Sequence, residues 1–592
     1  MTSPHPRPED VAEAIRSGRR PSELVGESPA PPGAATGGDE TGGDATGGAG
    51  TLSEHAGDVG VHVHGAALVQ TARGAFSTLE QDGVAAGLAA KDSTLWGPEA
   101  GSEATIRLGW LDVVATGREL VPRILALRAE LQAEGVDRVV LCGMGGSSLA
   151  PEVICATAGV ELVVLDSTDP QQVRAALAVD EPEVLRRTVV VASSKSGGTV
   201  ETDSHRRAAR AAFEAVGVDP AQRVVVVTDP GSPLSEQAEQ EGSRAVFLAD
   251  PDVGGRYSAL TAFGLVPAGL AGVDVAGLLD EAEAVQPSIG QGGPALLLGA
   301  LLGGAAVSGH DKLVLTPTND LPGFGDWAEQ LVAESTGKQG RGILPVVVEA
   351  PDSPGTEPAG DVLVAALGEA PDGPHVGLRG PLGGQFLVWE AATAIAGRVL
   401  GINPFDQPNV QESKDNTGAI LSGERPPVTK PLVVEEGLEV YATGDLLAGV
   451  GDLAGALDAL LAAVPERGYL AVMAYLDRHA DADAASLRTA LAARLAHPVT
   501  FGWAPRFLHS TGQFHKGGPQ VGAFLQVTAA VRRDLEIPGR DYTFGELQSA
   551  QSMGDLRALG ERGRPVLRVH LTDRSAGLRR LLAAARRSAG TS

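Results

Sequence analysis

From about residue 104 the chain alternates short apolar runs with helical stretches. VDRVVLCGMGG reads as a strand entering a glycine-rich turn, and SSLAPEV opens a helix behind it. ELVVLDSTDP is a second strand and turn, TVVVASSKSGGTVETDSHRRAARAAFEAVG is strand, loop and helix, RVVVVTDPGSPL repeats strand and turn, and SRAVFLAD is a fifth strand. The strands are continuous apolar runs without polar alternation, the pattern of a parallel sheet covered on both faces. Such sheets bind ligands beyond the carboxyl ends of their strands, so the loops that follow these strands are where chemistry belongs.

A second unit starts near residue 273, with a helix in PALLLGALLGGAAVSG, a strand in DKLVLTPTND, a helix in FGDWAEQLVAES, strands in ILPVVVEAP and DVLVAALG, and a long helix in GGQFLVWEAATAIAGRVLG. The tail from about 440 adds helices, the strands YLAVMAYLD and PVLRVHLTD, and a Gly/His-rich loop. Before residue 60, PAPPGAATGGDETGGDATGGAG is too polar and glycine-rich to bury a core, which predicts a disordered or weakly structured leader. The expected division is a leader over 1–60, a first α/β domain over 61–272 and a second over 273–592 that includes a C-terminal α/β extension.

A length of 592 residues fits two or three domains, and 43% hydrophobic with 20% charged residues is ordinary for a water-soluble protein. The formal net charge of −27 repels nucleic acid and anionic membrane surfaces, so neither is expected as a partner. An anionic substrate would need a local cluster of donors. Two cysteines, Cys142 and Cys155, make no disulfide framework and fit a reducing cytoplasm. The N-terminal MTSPHPRPED lacks the apolar core of a signal peptide. The longest apolar run, Pro294 to Ser308, is short and glycine-rich for a membrane span and reads as a buried helix.

Three segments hold candidate chemistry. Ser193-Ser194-Lys195-Ser196-Gly197-Gly198-Thr199 joins a buried strand to a helix and gathers hydroxyls and backbone N–H groups at the positive end of the helix dipole, an anion site. The plain alternative is a strand–helix loop with a Ser/Thr cap. Gly143-Met144-Gly145-Gly146-Ser147-Ser148 also follows a strand and opens a helix. With Asp166 at the end of the next strand it invites a dinucleotide reading, but Ser148 stands where the third glycine of that fingerprint belongs. A sugar- or phosphate-contacting loop suits the serines better. Finally, GFGDWAEQLVAESTGK as a helix places Trp327, Gln330, Leu331 and Glu334 on one face. Glu334 in the last turn, disfavoured by the dipole and by burial, would have its pKa raised toward that of a general base. The alternative is an exposed acid near a helix end.

Five segments together resemble the glucose-6-phosphate isomerase family, built from SIS (sugar isomerase) domains: GMGGSSLAP, SSKSGGTVET, GGRYSAL, QLVAESTGK and INPFDQPNVQESK, spanning about 143 to 414. The resemblance implies two three-layer αβα SIS domains with mainly parallel sheets, a cytoplasmic homodimer, a small-molecule sugar-phosphate substrate, and no metal or organic cofactor. It implies phosphate binding by Ser194, Lys195, Ser196 and Thr199, and sugar contacts from Gly146 and Ser147. Glu334 would move the proton between C1 and C2 through a cis-enediol. Arg256 would stabilise the developing oxyanion and Gln330 would line the site. Gln407 and Lys414 would sit at the ring oxygen, with Lys414 assisting ring opening.

One departure stands out. The family's ring-opening histidine, contributed by the neighbouring subunit, usually precedes the late lysine. Here the matching text, LHSTGQFHKGG, follows Lys414 and holds two histidines. His509 is the expected catalytic residue, and His515 is assigned to substrate binding. This late rearrangement resembles a subgroup that can occur fused to transaldolase. Competing expectations are a dual phosphoglucose/phosphomannose isomerase, a non-catalytic SIS-type sugar-phosphate sensor, and a nicotinamide-dependent oxidoreductase resting on Gly143, Gly145 and Asp166.

Overall fold

The computed structural model describes residues 50–318, 320–356, 360–368, 375–423 and 430–587. Three sheets organise them. The first is built from β3 (Arg138–Gly143), β4 (Val163–Leu165), β5 (Thr188–Ser193), β6 (Val224–Thr228) and β7 (Ala245–Leu248), in the order β4-β3-β5-β6-β7. All its pairings are parallel. Every residue of β5 and β6 is buried, as the continuous apolar runs require when helices cover both faces.

The second sheet has a parallel part made of β8 (Lys312–Thr316), β9 (Leu344–Val347), β10 (Val362–Leu367) and β11 (His375–Arg379). The hairpin β1 (Thr51–Ala56) and β2 (Val59–His64) pairs antiparallel onto β11, giving the order β1-β2-β11-β10-β8-β9. Residues 51–60 are therefore not leader. Val59, Val61 and Val63 alternate toward the core at 0% exposure, and so register this hairpin on the edge of the second sheet. The rest of the expected leader, residues 1–49, lies outside the described residues.

The C-terminal extension has a sheet of its own. Its strands are β12 (Val433–Glu435), β13 (Leu438–Ala442), β14 (Tyr469–Tyr475), β15 (Val499–Trp503), β16 (Gly522–Ala529) and β17 (Val566–Leu571), in the order β12-β13-β17-β16-β14-β15. One face of β14 and β16, including Tyr469, Met473, Tyr475 and Phe524, packs in one cluster with Val314, Val346, Val362 and Val364 of the second sheet. The extension thus covers one face of the second sheet with a sheet, where the expected three-layer αβα domain would have helices. The apolar run Gly293–Val307 is a buried helix, and among the described residues no single helix is long and apolar enough to cross a membrane.

Ion pairs pin the extension to segments outside its own sheet. Arg506 bonds Asp166 and Glu152, Arg574 bonds Asp169, and Arg562 bonds Glu412.

Because Phe524 is fully buried between two sheets, Phe524→Ala is expected to cost about 3–5 kcal/mol. Val434→Ser, on an exposed edge, should stay within about 0.5 kcal/mol. Guanidinium denaturation curves of the two variants check both values.

Candidate active site

β5 ends at Ser193, and the loop 194–199 leads into the helix Val200–Ala215. The Ser194 and Thr199 hydroxyls lie 2.9 Å apart, and the Ser196 hydroxyl accepts from the Gly198 N–H at 3.3 Å. The loop therefore presents hydroxyls and amides at the amino end of a sixteen-residue helix, where the dipole favours an anion. A cavity of about 480 Å³ opens there, within the range of about 300–1,000 Å³ usual for small-molecule sites. Its walls include Ser196, Thr199, Glu201, Lys414, His509 and Gln551.

Lys195 is not in that wall. Its ammonium is held by the Asp229 carboxylate at 2.5 Å and the Pro251 carbonyl at 3.1 Å. It fastens the loop to the turn after β6, and the cation that faces the cavity is Lys414, on the helix Val410–Leu421.

His509 reaches the cavity from the C-terminal extension of the same chain. Its Nε2 lies 3.1 Å from Glu201 Oε1, and the same oxygen accepts from Gln551 Nε2 at 2.7 Å. Glu201 is buried, and burial pushes its carboxyl up. His509, its own backbone N–H and Lys414 outweigh that and hold it down at about 2, so it remains an anion oriented on the imidazole. Glu201 stands within SSKSGGTVET, but its partners His509 and Gln551 lie 308 and 350 residues on and cannot be seen from the motif. Its place in the first turn after Thr199 was the available signal.

His515 belongs to the core, which corrects its assignment to substrate binding. It is 2% exposed, hydrogen-bonded through Nδ1 to the Tyr469 hydroxyl at 3.0 Å, and stacked on that ring. Burial, with Lys516 and Arg564 nearby, keeps its pKa well below the ordinary histidine value. Helical spacing explains the outcome. His515 lies on Gly512–Gly517, whose inner face packs under β14 and β16, whereas His509 precedes that turn at the cavity.

Glu334 stands one residue layer behind the cavity, near the end of the helix Phe324–Thr336. The Gln330 side-chain amide donates both to Glu334 Oε2 at 3.1 Å and to the His509 carbonyl at 2.8 Å, so it ties the carboxylate to the cavity wall. The Gln330 carbonyl oxygen is buried and accepts no hydrogen bond from the described residues. Arg256 compensates the buried charge, with Nη1 3.4 Å from Glu334 Oε1. It also donates to Ser335 Oγ at 2.8 Å, Gln407 Oε1 at 2.8 Å, and the carbonyls of Pro404 and Asp406 at 2.7 and 3.0 Å. Gln407 therefore acts on Arg256 in this structure.

The first glycine loop packs against the same layer. A Cβ on Gly145, whose φ is +55°, would fall 2.6 Å from Gln330 Nε2, and one on Gly146 would fall 1.9 Å from the Gly255 carbonyl. Only glycine lets this loop approach the Arg256 turn. Ser147 is buried beside it. Asp166, the residue that would take a ribose in a dinucleotide site, is already bonded to Arg506. Gln513 completes the frame by donating to the Gly337 carbonyl and to Asn409 Oδ1, both at 2.9 Å. Among the described residues, no group of three or more His, Cys, Asp or Glu side chains is arranged to hold a metal ion.

No protein-family model matches the chain. A protein of Haloarcula marismortui named as a probable glucose-6-phosphate isomerase is 29% identical over 371 residues, covering 52% of this chain and 84% of that one. The glucose-6-phosphate isomerase of Thermosynechococcus vestitus is 38% identical over 213 residues, covering 34% of this chain and 40% of its own length. The chain is therefore similar to glucose-6-phosphate isomerases, over most of the length of the first of these and less than half of the second. Among solved structures, a hypothetical protein of Thermus thermophilus is 25% identical with a TM-score of 0.51, covering 60% of this chain and 99% of the other. A glucose-6-phosphate isomerase from Chlamydia trachomatis is 18% identical with a TM-score of 0.50, covering 63% and 90%, and shares the fold. The α/β architecture of mostly parallel sheets is the fold these two structures share with this chain.

The depressed carboxyl of Glu201 gives a pH prediction. Its contribution to stability is complete above about pH 4.5 and is lost as pH falls toward 2. Chemical denaturation of wild type and Glu201→Gln should show a gap of about 3 kcal/mol at pH 7 that narrows steadily below pH 4.5.

Proposed function

We propose that the protein interconverts glucose 6-phosphate and fructose 6-phosphate, an aldose–ketose isomerisation through a cis-enediol. The observation that supports this most is a single one. The Gln330 amide joins the Glu334 carboxylate to the wall of a cavity that also holds an anion-binding helix start, a histidine and a lysine. The reaction needs a base at C1/C2, a cation at the neighbouring oxygens, and an acid/base at the ring oxygen. In this reading the loop 194–199 takes the phosphate through Ser194, Ser196 and Thr199. His509, oriented by Glu201, and Lys414 open the ring. Glu334, held behind the cavity wall by Gln330, transfers the proton once the open chain reaches it, and Arg256 offsets the charge that grows on the enediolate oxygens. A cytoplasmic homodimer is part of the same proposal, and a sedimentation mass near twice 60.4 kDa is its expected sign.

Purified protein should convert fructose 6-phosphate to glucose 6-phosphate, with product followed enzymatically. Glu334→Gln should lower kcat by about 10²–10⁴-fold, the usual share of general-base catalysis. Turnover in that variant at the wild-type rate would remove Glu334 from the mechanism.

A further inference from the structure

Lys338 lies four residues beyond Glu334, past the end of the same helix, and its side chain is fully buried. Its ammonium donates to the Asn403 carbonyl at 2.7 Å, the Asp406 carbonyl at 2.5 Å and Asp406 Oδ1 at 2.7 Å. An ammonium has three donors, and these three acceptors use them all. The acceptors come from the strap 403–407, and that strap also holds Arg256, through the Pro404 and Asp406 carbonyls and the Gln407 side chain. The Asp406 carbonyl is shared by both cations.

We propose that Lys338 is a positioning residue for Arg256: it fixes the strap on which the guanidinium rests and so sets where that positive charge stands against the reacting oxygens. This inference rests on the isomerase reading. Two like charges sharing one acceptor would separate in water. Here one carboxylate and three carbonyls hold them on either side of one peptide strap, and neither can shift without breaking bonds to it. The charged groups bearing on Lys338 are Arg256 from the 255–257 turn, Asp406 from the strap and Glu334 from its own helix. Burial lowers the Lys338 pKa, with Arg256 adding to it and Asp406 and Glu334 opposing, to about 8. Above that pH the ammonium loses its charge and one of its three donors, which loosens its hold on the strap.

The test is kcat and KM for fructose 6-phosphate between pH 6 and 10, in wild type, Lys338→Met and Asp406→Asn, with circular dichroism to count folded protein. Wild-type kcat should fall above about pH 8. Lys338→Met should lose about 10²-fold in kcat at pH 7, with KM unchanged and no alkaline fall of its own, since misplacing a catalytic group by about 1 Å costs that much. Asp406→Asn removes the carboxylate that favours the ammonium, so its fall should come at lower pH. An Asp406→Asn profile that superimposes on wild type would overturn the inference even if Lys338→Met failed to fold. So would a Lys338→Met loss that matches its unfolded fraction at every pH. A wild type inactive on fructose 6-phosphate removes the isomerase reading itself, and the inference with it. An active wild type with either of the other results removes only the role of Lys338.

Discussion

A carboxylate cannot sit in a dry interior without compensation, and Glu334 is 6% exposed. Its compensation is Arg256, and most of the site can be read as what it takes to hold that guanidinium still. Ser335, the neighbour of Glu334, takes Nε, and the strap 404–407 takes the other two nitrogens. A cation with so many of its donors used is fixed in direction before substrate arrives, which is the condition for electrostatic stabilisation without reorganisation. The glycine loop at 145–146 is small because the Arg256 turn and Gln330 lie directly against it.

The C-terminal extension serves this arrangement in two ways. Its sheet buries a face of the second sheet, and its 506–517 segment delivers His509 and Gln513 to the site. The ion pairs from Arg506, Arg562 and Arg574 cross that boundary at separate points, so the segment is located by several anchors. The Arg506–Asp166 and Arg574–Asp169 pairs are buried, and such pairs add little net stability but are intolerant of misplacement.

The parallel first sheet was legible in the sequence because its strands are unbroken apolar runs, and the helices Val200–Ala215 and Phe324–Thr336 because each follows a clear stop in such a run. Glu334, Arg256, Gln330 and His509 were named through the motifs that contain them, and hydrogen bonds and an ion pair link them in one layer, whereas Gln407, expected at the ring oxygen, accepts from Arg256. Less was readable where pairing is long-range. The hairpin 51–64 follows a polar leader, and nothing local says that it will pair with a strand near residue 376. The separate sheet of the extension depends on β16 lying between β14 and β17, a non-local order. Two residues escaped for opposite reasons. Lys195 looked like a phosphate cation because only Ser, Gly and Thr surround it in sequence, yet Asp229, 34 residues on, holds it. His515 looked like a site residue because it shares a polar loop with His509, yet one turn of helix puts it under an aromatic cluster.

The most direct test of the account is a crystal structure with fructose 6-phosphate bound. The phosphate should lie on the hydroxyls and amides of 194–199. The C1–C2 edge should come within about 3–3.5 Å of a Glu334 oxygen, with Arg256 on its oxygens and His509 at O5. A sugar phosphate seated in the same cavity with C1 and C2 turned away from Glu334, or one bound outside that cavity altogether, would contradict it.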